Sequence, residues 1–238
     1  VISIADSRFI KQINVSSNPE EILIDEAGKK AYVTSPIAST IFVIDLNTMS
    51  LSQKIKINGY CEKLRLFDDK LFYVDKLKNE IWARELKKGY ELKDIGQFPN
   101  VSDLVFTNNK LFLASRTKSR VAVIDYSTLG LVNEFTTVNK PLSMLLEGKT
   151  LYVLGAQNNM IQKINVDNDT PMGNIAVGTE GFSSGFHRID NTNLAVITDL
   201  KSNKYTIMDL SKGRIIKTYS LNVPIKDVII TTKVNLFD

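Results

Sequence analysis

Hydrophobic residues along this chain occur in short runs that recur at an almost constant spacing. The runs AYV, LFY, LFL, LYV and LAV begin at residues 31, 71, 111, 151 and 194, so the successive steps are 40, 40, 40 and 43 residues. Short segments that contain polar residues separate each run from the next strand-like segment. Short apolar runs that repeat with a fixed period are typical of β-strands in a protein built from structural repeats.

Three more strand-like segments accompany each run, so each repeat predicts a four-stranded sheet. An alternating segment follows the run, for example TIFVID, which ends at Asp45. A more polar segment such as LSQKIKI comes next and predicts an edge strand that faces water. A mostly apolar segment such as LSMLL precedes the run and predicts an inner strand buried on both faces. Four strands in about 40 residues match one blade of a β-propeller.

The two ends of the chain predict how the propeller closes. Residues 1–15 supply an alternating and a polar segment, whereas residues 224–238 supply the apolar segment KDVIIT and a further pair, LF. We therefore predict an all-β, six-bladed β-propeller of four-stranded antiparallel blades, with the last blade built from two N-terminal and two C-terminal strands. Residues 1–238 then form a single domain. The predicted blade units are residues 19–57, 60–97, 101–138, 141–177 and 182–221, and residues 224–238 together with 1–15.

Residues 17–48, SNPEEILIDEAGKKAYVTSPIASTIFVIDLNT, resemble the YVTN-type β-propeller repeat. Tyr32-Val33-Thr34-Ser35 stands at the signature of that family, and Asp45 with Thr48 completes the unit. The similarity recurs in VAVIDYST, residues 121–128. The resemblance implies a propeller of the bacterial or archaeal periplasm or cell surface, with the cytoplasm as the alternative location. It does not name a function, because such propellers have varied roles.

Composition and charge limit the classes of function. The chain is 43% hydrophobic and 24% charged, which is ordinary for a globular protein. Its net charge is +4, but Lys and Arg are spread along the chain with Asp and Glu between them. No dense basic tract therefore predicts nucleic-acid binding. No apolar run approaches the roughly 20 residues that span a bilayer, so we predict no transmembrane segment. With one Cys and one His, no transition-metal site is expected, and the only cofactor considered is a cation in the central channel. We expect a monomer.

Polar residues at the start of the inner segments predict a binding site at the rim of the channel. Alignment of these segments gives the rim candidates Glu21, Glu62, Lys63, Asp103, Lys226 and Asp227, with Ser143, Ser183 and Ser184 at the remaining positions. Two polar residues, Arg65 and His187, lie deeper in their segments. Such a ring suits a hard cation or a polar ligand, and it suits equally a water-filled channel mouth with ion pairs.

Other recurrent polar residues predict turns. Asp45, Asp125 and Asp209 end alternating segments, where a carboxylate can accept backbone N–H groups in an Asx-type turn. Gly28, Gly148 and the pair Asn108-Asn109 fall between the inner segment and the next run, where positive φ angles or short hairpins are expected.

Two functions remain open. The first is a non-enzymatic scaffold that binds a protein or a cell-envelope component through one face or the channel rim, with no catalytic residue. The alternative is a small-molecule lyase or hydrolase, with His187 as base and a channel cation as Lewis acid. The streptogramin-inactivating propellers are of this kind, and this chain resembles them only in blade architecture.

Overall fold

The fold was analysed in a computed structural model of the chain. It describes residues 1, 6–16, 18–57, 59–86, 92–107, 109–178, 183–189, 192–199 and 201–222, of which 92–97 are described by their backbone alone. These residues divide into two compact units, which we call unit 1 (within Val1–Asn100) and unit 2 (within Val101–Lys233). The described residues contain strands and turns but no helix, and hence no helix that could span a membrane.

Unit 1 contains two four-stranded antiparallel sheets. Sheet 1 consists of β1 (Ile22–Asp25), β2 (Lys30–Ser35), β3 (Thr40–Asp45) and β4 (Ser50–Lys56). Sheet 2 consists of β5 (Cys61–Phe67), β6 (Lys70–Asp75), β7 (Glu80–Glu85) and β8 (Leu92–Gln97). In both sheets each strand pairs with the strand that follows it in the chain, so each sheet is a simple meander.

Unit 2 contains three sheets of the same kind. Sheet 3 consists of β9 (Val101–Phe106), β10 (Lys110–Ser115), β11 (Arg120–Asp125) and β12 (Leu131–Thr136). Sheet 4 consists of β13 (Pro141–Glu147), β14 (Thr150–Gly155), β15 (Met160–Asn165) and β16 (Thr170–Ala176). Sheet 5 consists of β17 (Ser183–Arg188), β18 (Leu194–Asp199), β19 (Lys204–Asp209) and β20 (Arg214–Ser220).

The prediction of four-stranded antiparallel sheets is confirmed for these five sheets. The sixth sheet and its closure are not shown, since the predicted strands in residues 224–238 lie outside the described residues. Of the predicted strand over residues 9–15, only the β-bridge at Phe9 is shown; residues 10–15 have no strand pairing among the described residues. A ladder needs a partner, and the described part of the N-terminus provides only Val1, whose carbonyl accepts the amide of Ile10 at 3.0 Å.

The core lies between neighbouring sheets of one unit. In unit 1, Tyr32 and Ile41 of sheet 1 form a buried cluster with Leu64 and Tyr73 of sheet 2. In unit 2, one cluster joins sheets 3 and 4, and a second joins sheets 4 and 5. Face-to-face packing of twisted sheets buries the apolar side chains that alternate along each strand.

Burial is most complete in the second strand of each sheet, and the first strands correct one expectation in part: at least half of the residues of β9 and β17 are buried, but the other first strands are more open. We predicted that the first strands are buried on both faces, but β1 alternates between exposed and half-buried residues, and β5 and β13 are mostly half-buried. The second strands, such as β2, are buried almost throughout, because they have a strand on either side. The fourth strands are mostly exposed, as predicted for outer edges.

Four-residue turns join the second and third strands, and their last residue recurs in one conformation. Ser39, Asn79, Ser119, Asn159 and Asn203 all have positive φ. In every sheet, the carbonyl of this residue accepts the amide that follows the fourth strand, for example that of Ile57 on Ser39 at 3.0 Å. This backbone bond ties the turn to the outer edge of its own sheet.

The glycine predictions are confirmed in part. Gly148 has the expected positive φ of 55°. Gly28 does not; the positive φ of that turn belongs to Lys29, at 51°. Gly28 is needed for a different reason, since a Cβ there would lie 2.2 Å from Oδ2 of Asp25. Of the predicted pair of asparagines, Asn108 lies outside the described residues.

The three aspartates behave as predicted. Asp45 Oδ1 accepts the amides of Asn47 and Thr48, each at 2.9 Å. Asp125 and Asp209 accept equivalent amides in their own turns. Hydrogen bonds to the carboxylate lower the pKa of all three side chains, chiefly from the amide of Thr48 for Asp45 and from the hydroxyls of serines for the other two.

Candidate functional site

Glu21, a predicted rim residue, joins sheet 1 to sheet 2. It directly precedes β1, and its Oε2 accepts the backbone amide of Leu64 in β5 at 2.7 Å. Its Oε1 accepts a hydrogen bond from Arg65 Nη1 at 3.1 Å, and both side chains are about one-third exposed. Arg65, predicted to lie deep in its strand, is therefore partly exposed and paired with Glu21.

Asp103 makes the same connection in unit 2. Its Oδ2 accepts the amide of Met144 at 2.7 Å and the hydroxyl of Ser143 at 2.9 Å. Asp103 is buried. In both units, therefore, an acidic residue on the first strand of one sheet accepts the first-strand amide of the next sheet. We call this arrangement an inter-sheet carboxylate contact. It occurs twice among the described residues, at Glu21–Leu64 and Asp103–Met144.

A second group of polar residues, which we call the rim cluster, consists of Glu20, Tyr60, Glu62 and Lys76. Lys76 forms an ion pair with Glu62, and its ammonium lies 5.8 Å from the centre of the Tyr60 ring. The Tyr60 hydroxyl donates to Glu20 Oε1 at 3.3 Å. Burial, together with the nearby Glu20 charge, raises the pKa of Tyr60, and the hydrogen bond to Glu62 raises the pKa of Lys76.

Lys63 lies beside the rim cluster in an unusual backbone conformation. Its φ is 53°, and the pairing of β5 with β6 shifts register between Glu62 and Arg65. Lys63 is thus the residue of a β-bulge, a feature that re-aims neighbouring side chains. In sheet 2, Lys63 occupies the position that Glu21 and Asp103 hold in sheets 1 and 3. An ammonium group donates hydrogen bonds but cannot accept one, so Lys63 cannot bind a backbone amide as those carboxylates do.

His187 lies in β17 of unit 2, half-buried above a glycine. A Cβ on Gly185 would lie 2.4 Å from His187 Nε2 and 2.9 Å from the Thr198 hydroxyl, so the imidazole occupies the space that a side chain at 185 would need. The hydroxyls of Ser184 and Thr198 are 2.9 Å apart. The structure thus brings His187 next to two hydroxyl groups on the first two strands of sheet 5.

The predicted rim residues fall into separate groups. Glu21, Glu62, Lys63 and Arg65 lie together in unit 1, and Asp103 lies in unit 2. Lys226 and Asp227 lie outside the described residues. Within the part of the chain that the structure describes, no three His, Cys, Asp or Glu side chains form a group suited to a metal ion. A channel cation therefore stays a prediction.

Two exposed aliphatic residues in equivalent turns of unit 1 were not predicted. Ile37 and Leu77 are the second residues of the turns after β2 and β6, and they are 65% and 74% exposed. Lys76, next to Leu77, contacts Glu62 and Tyr60, so this turn adjoins the rim cluster. An apolar residue inside a connecting turn is the signal in the sequence that could have pointed to them.

A further ion pair in unit 2 joins a strand to a turn of the next sheet. Lys110 Nζ donates to the carbonyl of Val166 and to Asp169 Oδ1, both at 2.9 Å, in the turn between β15 and β16. The side chains of Lys110 and Asp169 are only 16% and 9% exposed. A second lysine, Lys149, pairs with Asp167 of the same turn, but these side chains are 77% and 53% exposed.

Comparison with known proteins supports the fold and does not identify a family. No family model matches the chain, and no curated protein matches it in sequence. Among solved structures, it is similar to the dihydro-heme d1 dehydrogenase NirN in complex with DHE, with a TM-score of 0.68 and 15% identity. That match covers 85% of this chain and 48% of NirN, so the chain spans about half of the NirN length.

Two more structures show the same likeness. KlHsv2 with loop 6CD replaced by a Gly-Ser linker has a TM-score of 0.68 and 12% identity, covering 85% of this chain and 68% of that one. The computationally designed Ika8 protein has a TM-score of 0.72 and 10% identity, covering 94% and 69%. NirN and Hsv2 are β-propeller proteins. At these identities the likeness extends to the fold alone, and the fold of this chain is similar to that of β-propellers.

Proposed function

We propose that this protein is a non-enzymatic β-propeller scaffold that binds a protein partner through one edge of unit 1. The binding surface consists of Ile37, Leu77 and the rim cluster. The observation that carries the proposal is the exposure of two large aliphatic side chains at matching turn positions, 65% for Ile37 and 74% for Leu77, of which Leu77 adjoins the rim cluster through Lys76. Exposed apolar groups bordered by polar residues are typical of protein-binding surfaces.

The bonding of the predicted rim carboxylates also supports a scaffold. Glu21 and Asp103 both accept backbone amides of the neighbouring sheet, and Glu21 is paired with Arg65 as well. Side chains that hold sheets together are poorly placed to exchange partners with a substrate. The Lys76 side chain, at 58% exposure, is more exposed than Glu21 and Asp103, and together with Glu62 and Tyr60 it takes part in binding the partner.

The same proposal includes a closed, six-bladed ring formed by residues 1–238 as one domain. Its support comes from the N-terminal segment, where Ile13 and Val15 pack on Ala31, Val33 and Phe42 of sheet 1. Ile13 and Val15 lie nine and seven residues before Ile22 in the chain. Ile55 and Ile57 lie at the same two separations before Leu64, which holds the position of Ile22 in sheet 2. Ile55 and Ile57 pack on sheet 2 in the same way. The N-terminal segment thus takes the part of an outer strand in a sheet before sheet 1.

The location of the protein follows from the resemblance to YVTN-type repeats. That resemblance favours a periplasmic or extracellular monomer, in which the partner is another protein of the cell envelope. Fractionation of cells that produce the natural protein, followed by detection with an antibody, tests this location. Recovery with cytoplasmic markers contradicts it.

The binding surface is tested with the double variant I37D/L77D. The control is L131D, because Leu131 is similarly exposed, at 60%, on the outer strand β12. Wild type and both variants are immobilised, and proteins retained from an extract of the natural host are quantified by mass spectrometry. We expect that wild type and L131D retain at least one protein equally. The double variant is expected to retain at least about tenfold less of that protein, which corresponds to a loss of about 1.4 kcal/mol in binding free energy.

Retention of the same proteins by all three forms contradicts the surface. A circular dichroism spectrum of each form verifies that the introduced aspartates leave the strands intact, because all three positions are exposed and contribute little to the core. The purified partner is then titrated against each form by calorimetry, so that the difference is measured as a dissociation constant.

A second candidate function, a small-molecule lyase or hydrolase with His187 as base, is favoured by one observation. The imidazole lies next to Thr198, whose hydroxyl is paired with Ser184. A screen of metabolite mixtures for turnover tests this function, with H187A as the variant. Turnover that H187A leaves unchanged removes His187 from the mechanism.

A further inference from the structure

The charged side chains of unit 2 are distributed unevenly between the two ends of its sheets. The turns after β10, β14 and β18 lie at one end of their sheets, which we call the turn end. Ser102 Oγ donates to the carbonyl of Pro141 at 2.7 Å, and both residues lie near the start of a first strand, so the turn ends of sheets 3 and 4 are on the same side. Most of the described carboxylates of unit 2 lie at or near the opposite end: Asp125, Glu147, Asp167, Asp169 and Asp209.

The carboxylates at the turn end already have partners. Asp103 and Asp199 are buried and accept backbone amides of unit 2. Glu134, near this end of β12, forms an ion pair with Arg120. Among the described residues, the turn end of unit 2 therefore exposes no unpaired carboxylate that would neutralise a further cation.

Three cations at the turn end, Arg116, Lys118 and Lys140, form a group that we call the basic cluster. Arg116 and Lys118 lie in the turn after β10 and are exposed, and Lys140, which directly precedes β13, is half-buried. Ser119 Oγ accepts the Lys140 amide at 3.2 Å, so the two segments are in direct contact. None of the three cations forms an ion pair with a described carboxylate, whereas several other exposed cations of unit 2 do.

Backbone hydrogen bonds, and not opposite charges, hold the basic cluster together. The carbonyl of Ser119 accepts the Thr137 amide at 2.9 Å, and the carbonyl of Lys140 accepts the Ala156 amide, also at 2.9 Å, in the turn after β14. Like charges that are kept near one another repel and attract anions. Because the backbone already fixes the segments that carry these charges, an anion would bind here without having to order them first.

The residues around the basic cluster indicate the class of ligand. Residues 116–119, 137–140 and 156–159 contain no aromatic side chain and no exposed large apolar one. Nucleobases bind by stacking on aromatic rings, and peripheral membrane surfaces combine cations with exposed apolar groups. The cluster lacks both features. Its Arg and Lys side chains, with the exposed amides of Gln157 and Asn158 nearby in the chain, suit the carboxylates and carbonyls of a peptide, and Arg binds a carboxylate in bidentate fashion.

We propose that the basic cluster binds an acidic segment of a protein, whose Asp or Glu side chains pair with Arg116, Lys118 and Lys140. The proposal gives the scaffold a second recognition surface with a partner of defined charge. It involves unit 2 alone and does not depend on the surface proposed in unit 1.

Fluorescence anisotropy with a labelled poly-glutamate peptide and the full chain tests the proposal. The variant R116E/K118E reverses two exposed charges, and the control K149E/R214E makes the same change in net charge at exposed positions of the opposite end. We expect R116E/K118E to weaken binding at least about tenfold and the control to stay within about twofold of wild type, because salt screens distant charges. Equal weakening by both variants, or no binding by wild type at physiological ionic strength, overturns the proposal.

Two further measurements test the third cation and the class of ligand. K140Q is expected to weaken binding about threefold, since one of three charges is lost, and an affinity like that of wild type contradicts the role of Lys140. Vesicles of phosphatidylglycerol and a single-stranded oligonucleotide are titrated in the same buffer. Tighter binding of either than of poly-glutamate overturns the assignment to an acidic protein segment, and weaker binding of both supports it. Circular dichroism verifies that each variant keeps its strands.

Discussion

The Asp103 carboxylate accepts the backbone amide of Met144 at 2.7 Å, linking the first strands of two consecutive sheets. Because Asp103 is buried and also accepts the Ser143 hydroxyl and the Leu104 amide, its removal leaves three donors without this acceptor. We expect D103A to lower the free energy of unfolding by about 1–3 kcal/mol. Urea denaturation followed by circular dichroism measures this change. The control is D68A at an exposed turn position; an equal effect of both variants contradicts the structural role of Asp103.

The corresponding contact in unit 1 permits a test of coupling. Glu21 accepts both the Leu64 amide and Arg65 Nη1. A double-mutant cycle with E21Q and R65M isolates the ion-pair part, which we expect to be below about 1 kcal/mol because both side chains are partly exposed. E21A is expected to cost more than R65M, since it also removes the acceptor of a backbone amide. Equal losses for the two variants, measured by urea denaturation, argue against the amide contact.

The two lysines at the turn between β15 and β16 form a matched pair for a test of burial. Lys110 and Asp169 are nearly buried, whereas Lys149 and Asp167 are well exposed. K110M leaves the Asp169 carboxylate without its counter-charge, and we expect a loss of about 3 kcal/mol. K149M removes a surface pair and is expected to cost less than about 1 kcal/mol. Thermal unfolding of both variants measures the difference, and similar melting temperatures contradict the assigned burial.

Asp125 predicts a pH dependence. Hydrogen bonds from the Ser127 hydroxyl, and then from the amide and hydroxyl of Thr128, lower the pKa of Asp125 to about 2 from 3.8. A carboxyl group with a lowered pKa in the folded state stabilises the fold above pH 3.8, and this contribution disappears as the pH falls towards 2. Carbon NMR of the side-chain carboxyl measures the midpoint in wild type and in S127A.

We expect S127A to raise the pKa of Asp125 towards its ordinary value, since the largest of the lowering hydrogen bonds is lost. Asp45, whose turn has an asparagine in place of that serine, is titrated in the same spectra and is expected to remain unchanged. A midpoint for Asp125 that is the same in both proteins contradicts the hydrogen-bonded turn.

The strand pattern was predictable because it depends on local chemistry that repeats. Runs such as LFY and LFL alternate apolar faces at a constant spacing, and aspartates such as Asp45 mark the ends of strands by capping turn amides. The depth of burial was not predictable in the same way. β1 and β5 contain as many apolar residues as their neighbours, but how deeply they are buried depends on which sheet faces them.

The candidate site was predicted only in small part: Glu62 was among the predicted rim residues, whereas Tyr60, Lys76, Ile37 and Leu77 were not. Alignment placed Glu21 and Asp103 at matching positions. The sequence does not show that their carboxylates accept backbone amides, because every residue type except proline offers such a donor. Arg65 was expected deeper in the strand, and its pairing with Glu21 arises from contact between sheets. Ile37 and Leu77 became notable only when their exposure was known.

The turns after the second strands share one backbone conformation and one backbone hydrogen bond, and in sheets 2 and 5 the carboxylates of Asp75 and Asp199, which precede the turns, also accept turn amides. Ser39, Asn79 and Asn203 share a positive φ and a carbonyl that accepts the amide after the fourth strand, although the residues before them differ entirely. Sequence at the tips, including positions 37 and 77, is therefore free to change while the strands stay in register. The scaffold is consequently suited to loop grafting, in which new recognition peptides replace these tips and the sheets need no redesign.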